Sequence, residues 1–155
     1  MLTRYINCKH TITNEFNEKK LNLKRSERTV ADNLRLEKGL IHEVDYFKEL
    51  SKKYKKVKNI KVLKNLSKEE KIKETNKALK EGYELIYGGW LKSGNWSGEL
   101  DFLEINNEVK SNLGNYSYEI TDTKNSSKVK GDHIYQVCLY SFLLQEAQGI
   151  LSDNF

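Results

Sequence analysis

The amino-acid sequence predicts an α/β domain in which helices flank a mixed sheet of three to four strands. Apolar residues recur at helical spacing between Val30 and Lys55, as on the buried stripe of a helix. Residues 83–91, 97–105 and 116–124 are rich in aromatic and aliphatic residues and are separated by Gly, Asn and Ser clusters, which is typical of strands joined by hairpins. At 155 residues the chain fits a single domain over residues 1–155, which buries roughly 70% of its unfolded surface.

The first half of the chain is predicted to be mainly helical. The first 25 or so residues indicate a short helix and a loop, and the long helix follows. Gly39 lies inside that long helix, which suggests the close approach of another backbone or of a ligand. Residues 59–66 alternate between polar and apolar side chains, so a short strand is predicted there.

The next helix has sequence signals at both ends. Ser67 is followed three residues later by Glu70, which is the pattern of a capping box. Gly82 is expected to end this helix at Lys80 or Glu81. The last helix, over residues 132–148, has apolar residues on every side, so we expect it to be buried. Cys138 would then be a small apolar residue of the core.

Composition excludes several classes of protein. The net charge of +5 and the pI of about 9.0 favour polyanions weakly, and AT-rich coding DNA explains the abundance of Lys equally well. No apolar run approaches the ~20 residues that span a bilayer. Cys8 and Cys138 are too few for a disulfide scaffold or for a four-thiolate zinc or iron–sulfur site. A cytoplasmic protein without a membrane span is expected.

Two acids and a lysine form the candidate catalytic group. Asp101 and Asp122 lie on neighbouring predicted strands, and Lys124 is two residues after Asp122, on the same strand face. Two adjacent carboxylates repel each other, and a divalent cation removes that repulsion. The alternative is that Asp122 ends a strand and that Lys124 is a solvated neighbour. Glu99 is expected on the opposite strand face, at the surface.

Four blocks of sequence resemble the RecB-like branch of the PD-(D/E)xK nuclease superfamily. The blocks GELDFL from Gly98, YEITDTK from Tyr118 and YQVCLY from Tyr135 occur in the order of that branch, and the last looks like its Q-x-x-x-Y motif. Upstream, LEKGLIHE over residues 36–43 looks like its first motif, a helix with a metal-binding histidine. More narrowly, residues 83–149 are similar to stand-alone predicted RecB-family nucleases. The resemblance covers roughly residues 1–150 and implies a restriction-endonuclease-like core.

The resemblance also implies roles for individual metal ligands. His42, Asp101 and Asp122 would bind Mg²⁺ or Mn²⁺, and the backbone carbonyl of Thr123 would complete the shell. Glu43 would contact metal-bound water or a second ion, with a salt-bridge role as the even alternative.

Further residues are expected to act on water or on the substrate. Lys124 would assist the attacking water. Gln136 and Tyr140, four residues apart on one helix face, would orient the lysine or contact the DNA backbone. Tyr140 could instead be a core residue.

The function implied by the resemblance is a metal-dependent deoxyribonuclease, with an exonuclease expected, in DNA repair, recombination or processing. Its substrate would be single-stranded DNA or duplex ends. A DNA-binding or scaffolding module without catalysis, in a helicase–nuclease assembly, is the alternative, and an RNA nuclease ranks below both.

The resemblance bears on cofactor and chain length as well. Related CRISPR-associated nucleases hold an iron–sulfur cluster with one early and three late cysteines. Cys8 matches the early one, but the late three are missing, so no cluster is expected. The family core continues with a strand after the last helix, so the chain is either an N-terminal fragment of a longer protein or a core that closes differently. Helicase or ribonuclease H-like domains are the expected neighbours in a longer protein.

Overall fold

The computed structural model describes residues 2–126 and 128–152. The described helices and strands, in chain order, are α1 (Leu2–Asn7), α2 (Lys9–Asn17), α3 (Val30–Ser51), β1 (Val57–Asn59), α4 (Lys68–Lys80), β2 (Leu85–Ser93), β3 (Trp96–Asn106), β4 (Ser117–Thr121) and α5 (Gly131–Gln148). This order confirms the predicted α/β class, with three strands between the long helices and the last helix.

The strands form a mixed sheet in the order β1-β2-β3-β4. β1 pairs with β2 in parallel, and the other two pairings are antiparallel. A parallel pairing needs a crossover connection, which α4 supplies here. The three antiparallel strands are the three aromatic-rich runs of the sequence, so the predicted hairpins are confirmed.

Each face of the sheet has its own apolar cluster. Ile86 and Leu103 belong to the cluster beneath α4 and α5, whereas Tyr87 and Phe102 pack against Phe47 of α3. Neighbouring residues on a strand point to opposite faces, so α3 lies on one side of the sheet and α4 and α5 lie on the other. The sheet is therefore covered on both faces, as the predicted flanking helices require.

The alternation along the two central strands is interrupted at one place. Leu100 and Leu103 both join the cluster beneath α4 and α5, although they are three positions apart, an odd spacing that would place them on opposite faces of a regular strand. Asp101 lies in this interval, and the strand register places it opposite Gly88. Gly88 has φ +71, and a Cβ there would lie 2.2 Å from the side chain of Lys61. Asp101 therefore lies outside both apolar clusters of the sheet.

Two caps fix where the long helices begin. The side chain of Ser67 accepts from the backbone N–H of Glu70, and the Glu70 carboxylate accepts from the backbone N–H of Ser67. This is the capping box that the sequence predicted. Thr29 and Asp32 form a second capping box at the start of α3.

The predicted strand over residues 59–66 is wrong. The strand ends at Asn59, and the backbone N–H of Leu63 donates to the carbonyl of Ile60 at 3.0 Å. Ile60 is buried and Leu63 packs on the same cluster, while Val62 is 64% exposed. Ile60 and Leu63 are three residues apart, and a turn places both against the core. An extended strand would direct them to opposite faces, so the turn is favoured.

The last helix is less buried than its composition predicted. Ile134, Tyr135 and Phe142 are between 42% and 54% exposed, and Cys138 is exposed rather than part of the core. The sheet covers one side of α5 only, and the helix has more apolar residues than that side can hold. No helix in the described part of the chain has the length and apolar character to cross a membrane.

Gly39 marks no close approach of another backbone, contrary to one of the two alternatives predicted. A Cβ at this position would meet nothing within 4 Å, and α3 continues through it. Glycine in a helix interior leaves the unfolded chain more conformational freedom than alanine does.

We therefore expect Gly39→Ala to raise the free energy of unfolding by about 1 kcal/mol, measured by urea denaturation. Gly98→Ala is the contrasting variant, because a Cβ at Gly98 would lie 2.5 Å from the ring of Tyr140. Overpacking of this kind costs about 1–3 kcal/mol. Loss of stability in Gly39→Ala would show that a neighbour does approach this helix.

Candidate active site

The segment that follows β4, residues 122–124, is hydrogen-bonded to Asp101 in the middle of β3. One oxygen of Asp101, Oδ2, accepts from the backbone N–H of Thr123 at 2.9 Å and from its hydroxyl at 3.0 Å. The β3–β4 ladder itself ends at the pair Phe102 and Thr121. The carboxylate thus extends the pairing beyond the ladder and brings Asp122 and Lys124 to the edge of β3.

Asp122 is the most deeply buried carboxylate of the site. Its side chain is 3% exposed, and its Oδ2 forms an ion pair with the ammonium of Lys124, whose side chain is 31% exposed. Burial raises the pKa of Asp122, the nearby Asp101 raises it further, and Lys124 acts in the opposite direction. Two acids and a lysine therefore meet as predicted, although β4 ends at Thr121 and the three residues after it are not strand.

Helix α5 adds an amide and a phenol to this group. Gln136 donates from Nε2 to the hydroxyl of Tyr140 at 2.8 Å, and the same Nε2 lies 3.5 Å from Oδ1 of Asp122. Burial, together with the negative charges of Asp122, Asp101 and Glu99, raises the pKa of Tyr140 to about 12, although the Gln136 contact lowers it. The phenol is therefore neutral at physiological pH. The Tyr140 ring packs directly on Gly98, where there is no side chain.

A second charged group lies on the α3 side of Asp101. Lys61, in the turn after β1, pairs with the buried Glu43 of α3, and its Nζ lies 3.8 Å from Oε1 of Glu99. The same ammonium is 5.3 Å from the ring centre of Tyr87. Burial raises the pKa of Tyr87, and the charges of Glu43, Asp101 and Glu99 add to this effect. Glu43 therefore takes the ion-pair role that the sequence left open.

The sequence reasoning missed Lys61 and misplaced Glu99. Glu99 and Asp101 are two residues apart on one strand, so they share a face, and both act on Tyr87 and Tyr140. The expectation of opposite faces was wrong, and the period of two could have corrected it. Lys61 had no such signal, because it lies in a turn of a Lys-rich segment.

His42 does not join the two acids. It is exposed on α3, while its neighbour Glu43 is 9% exposed and is paired with Lys61. Successive helix residues are about 100° apart, so the rotation of α3 that buries Glu43 turns His42 away. Among residues 2–126 and 128–152, no group of three or more His, Cys, Asp and Glu side chains is placed to hold a metal ion.

The remaining donors do suit a hard cation. Asp101 and Asp122 supply carboxylate oxygens close enough for the charge of one to raise the pKa of the other. Mg²⁺ is commonly held by one or two carboxylates and keeps several waters, so these two groups suffice for such a site. Thr123 donates its N–H and hydroxyl to Asp101, and a contribution of its carbonyl to a metal stays a prediction.

No family model matches this chain, and neither a curated protein nor a solved structure matches it. Its function is therefore inferred from the residues and the geometry of the site.

We expect Asp122→Asn to raise the free energy of unfolding by about 1 kcal/mol at pH 7, measured by urea denaturation. The pKa of Asp122 is higher in the folded chain than in the unfolded chain, so the ionised form costs stability at any pH above the folded pKa. The gain should shrink as the pH falls through that folded pKa, and it should vanish near the ordinary value of about 3.9.

Asp45→Asn is the matched control for this measurement. Asp45 is 61% exposed at its side chain and pairs with Lys48 on the surface of α3, so a change within about 0.5 kcal/mol is expected. A clear loss of stability in Asp122→Asn at pH 7 would contradict the assignment of Asp122 as a destabilising buried charge.

The ion pair of Lys61 and Glu43 can be tested in the same way. Lys61→Met keeps an unbranched stem over Gly88 but leaves the Glu43 carboxylate buried and unpaired, which costs about 3–5 kcal/mol. Adding Glu43→Gln should restore most of this loss. Lys48→Met, which breaks the exposed pair with Asp45, should cost less than about 1 kcal/mol. Equal losses in the single and double variants would place the effect of Lys61 in its packing.

Proposed function

We propose that this chain is a divalent-metal-dependent deoxyribonuclease of the RecB-like branch of the PD-(D/E)xK nucleases. The observation that carries the proposal is the meeting of Asp101, Asp122 and Lys124 at the edge of the sheet. A carboxylate that is 3% exposed beside a second carboxylate costs stability, and such costs are typical of sites retained for chemistry. The proposed substrate is the phosphodiester backbone of DNA.

The proposed cofactor is Mg²⁺ or Mn²⁺, held by the carboxylates of Asp101 and Asp122. Bound there, the ion would polarise the scissile phosphate and lower the pKa of a water ligand. The hydrogen bonds from Thr123 fix one oxygen of Asp101, which holds that carboxylate in one orientation. Orienting contacts of this kind commonly change metal affinity or activity by about 10- to 100-fold.

The side chains around the acids have separate proposed roles. Lys124 is about one-third exposed, so its ammonium can reach an attacking water or the negative charge that develops on the phosphate. Gln136 links Asp122 to Tyr140 and is proposed to position both. Tyr140 keeps its proton at physiological pH because its pKa is raised to about 12, so it can donate a hydrogen bond to a phosphate oxygen.

One observation favours the alternative of a DNA-binding module without catalysis. Both lysines of the site are already paired with acids, Lys124 with Asp122 and Lys61 with Glu43. Each lysine thus neutralises one carboxylate within the chain, and this pairing lessens the need for a cation. Metal binding separates the two proposals, because only the nuclease requires it.

Cleavage of end-labelled DNA in Mn²⁺ tests the nuclease directly. We expect Asp101→Ala, Asp122→Ala and Lys124→Ala each to lower the rate at least about 100-fold. His42→Ala should lower it less than tenfold, since His42 is exposed and apart from the acids. Lys110→Ala, which changes an exposed lysine outside the site, is the control and should cut as the unmodified chain does.

A thermal shift with Mn²⁺ completes this test. Binding to the folded state alone raises stability by about 2.7 kcal/mol at a metal concentration one hundred times Kd. The rise in melting temperature should occur in the unmodified chain and disappear in Asp122→Ala. DNA binding without cleavage and without a metal-induced shift would establish the inactive module instead.

A further inference from the structure

A pocket opens beside the two acids, between the end of β4 and the first turns of α5. It has a volume of about 360 Å³, which lies at the lower end of the ~300–1,000 Å³ of small-molecule sites. Its walls include four aliphatic side chains, Ile120, Val129, Ile134 and Val137. Asp122 and Lys124 also line it, so the pocket is continuous with the proposed cleavage site.

The rim of the pocket carries basic side chains, and Lys128 supplies the positive charge that remains after Lys124 pairs with Asp122. Lys124, Lys128 and His133 line it, and Asp122 is the one acid among its described lining residues. The carboxylate of Asp122 is already paired with Lys124. An apolar cavity with a basic rim suits a ligand that combines an apolar surface with negative charge, and a nucleotide is such a ligand.

The polar groups of the pocket wall are already hydrogen-bonded within the chain. The hydroxyl of Ser126 donates to the carbonyl of Lys128 at 2.8 Å, and Nδ1 of His133 accepts from the backbone N–H of Lys130 at 3.3 Å. Reading a particular base requires donors and acceptors aimed at its edge, whereas an apolar wall receives the face of any base. The pocket therefore favours stacking over sequence recognition.

We propose that this pocket holds one unstacked base of single-stranded DNA while the adjacent phosphate lies at Asp122 and Lys124. The inference rests on the proposed function and specifies its substrate, because a base inside a duplex is stacked and paired and cannot enter without being extruded. The chain would then prefer unpaired strands, with little dependence on sequence.

The test compares two strands of equal length and charge, oligothymidylate and the same strand with abasic residues, by fluorescence anisotropy in EDTA. Burial of one base face against aliphatic side chains is worth roughly tenfold in affinity, so the unmodified chain should bind oligothymidylate about tenfold more tightly. Ile134→Asp, in the pocket wall, should bring this ratio to about one. The phosphates of the two strands repel the new carboxylate equally, so the ratio reports the base alone.

Phe142→Asp is the matched control. It makes the same charge change on the same helix at an apolar residue of similar exposure, 42% against 49% for Ile134, outside the pocket lining. It should keep the ratio of the unmodified chain. Val137→Leu, which narrows the pocket without adding a charge or an aromatic ring, should lower the ratio as Ile134→Asp does and serves if that variant does not fold.

The outcomes separate the pocket from the nuclease. A ratio of one in the unmodified chain, or an unchanged ratio in both pocket variants, overturns the base site even if the chain cleaves DNA. A tenfold ratio that only the pocket variants abolish supports the base site even if cleavage fails, because the assay contains no metal. Absence of binding to either strand overturns the inference.

Discussion

The hydrogen bonds from Thr123 to Asp101 are the contact on which the candidate site depends. Asp101 belongs to β3, but its pairing with β4 has already ended, since the last pair of the β3–β4 ladder is Phe102 with Thr121. By accepting from both the N–H and the hydroxyl of Thr123, Asp101 takes the place of the next strand residue. Asp122 lies between Thr121, the last paired residue of β4, and Thr123. Its carboxylate is close to Gln136 in the first turns of α5. The side chain of Asp101 thus connects the sheet to the segment that carries Asp122 and Lys124.

The charges of the site are only partly neutralised within the chain. Four carboxylates, of Glu43, Glu99, Asp101 and Asp122, share two ammonium groups, of Lys61 and Lys124. Buried ion pairs seldom exceed a well-packed apolar core in stability, so this arrangement is not explained by the need to fold. A cation between Asp101 and Asp122 would correct the excess of negative charge on one side. The two sides hold the same number of charges, two carboxylates and one lysine each, so charge alone does not place the ion. The proposed metal lies between Asp101 and Asp122 because these carboxylates are close enough for the charge of one to raise the pKa of the other.

Local signals in the sequence were sufficient for most of the fold. The capping box of Ser67 and Glu70, the three aromatic-rich strands and the positions of α3 and α5 all depend on residues close together in the chain. The meeting of Asp101, Asp122 and Lys124 was predicted from a strand period, although residues 122–124 lie beyond the end of β4. The hydrogen bonds of Thr123 to Asp101 bring them together instead. The contribution of Lys61 to the site was not predictable. Lys61 lies in a turn after β1, and its side chain passes over Gly88 to reach Glu43 and Glu99. This contact depends on residues far apart in the chain, so no local sequence pattern indicates it.

The packing of α3 decides which of its polar residues reaches the site. Phe47 and Leu50 lie four and seven residues after Glu43, on the same helix face, and Phe47 stacks on Tyr87 with 4.4 Å between ring centres. Burying these two apolar residues therefore buries Glu43 as well. Turning His42 inward would require a rotation of about 100°, which would withdraw Phe47 from Tyr87 and Glu43 from Lys61. Burial of apolar surface is the dominant driving force of folding, so Phe47 and Leu50 place Glu43, and not His42, on the side of α3 that faces the sheet.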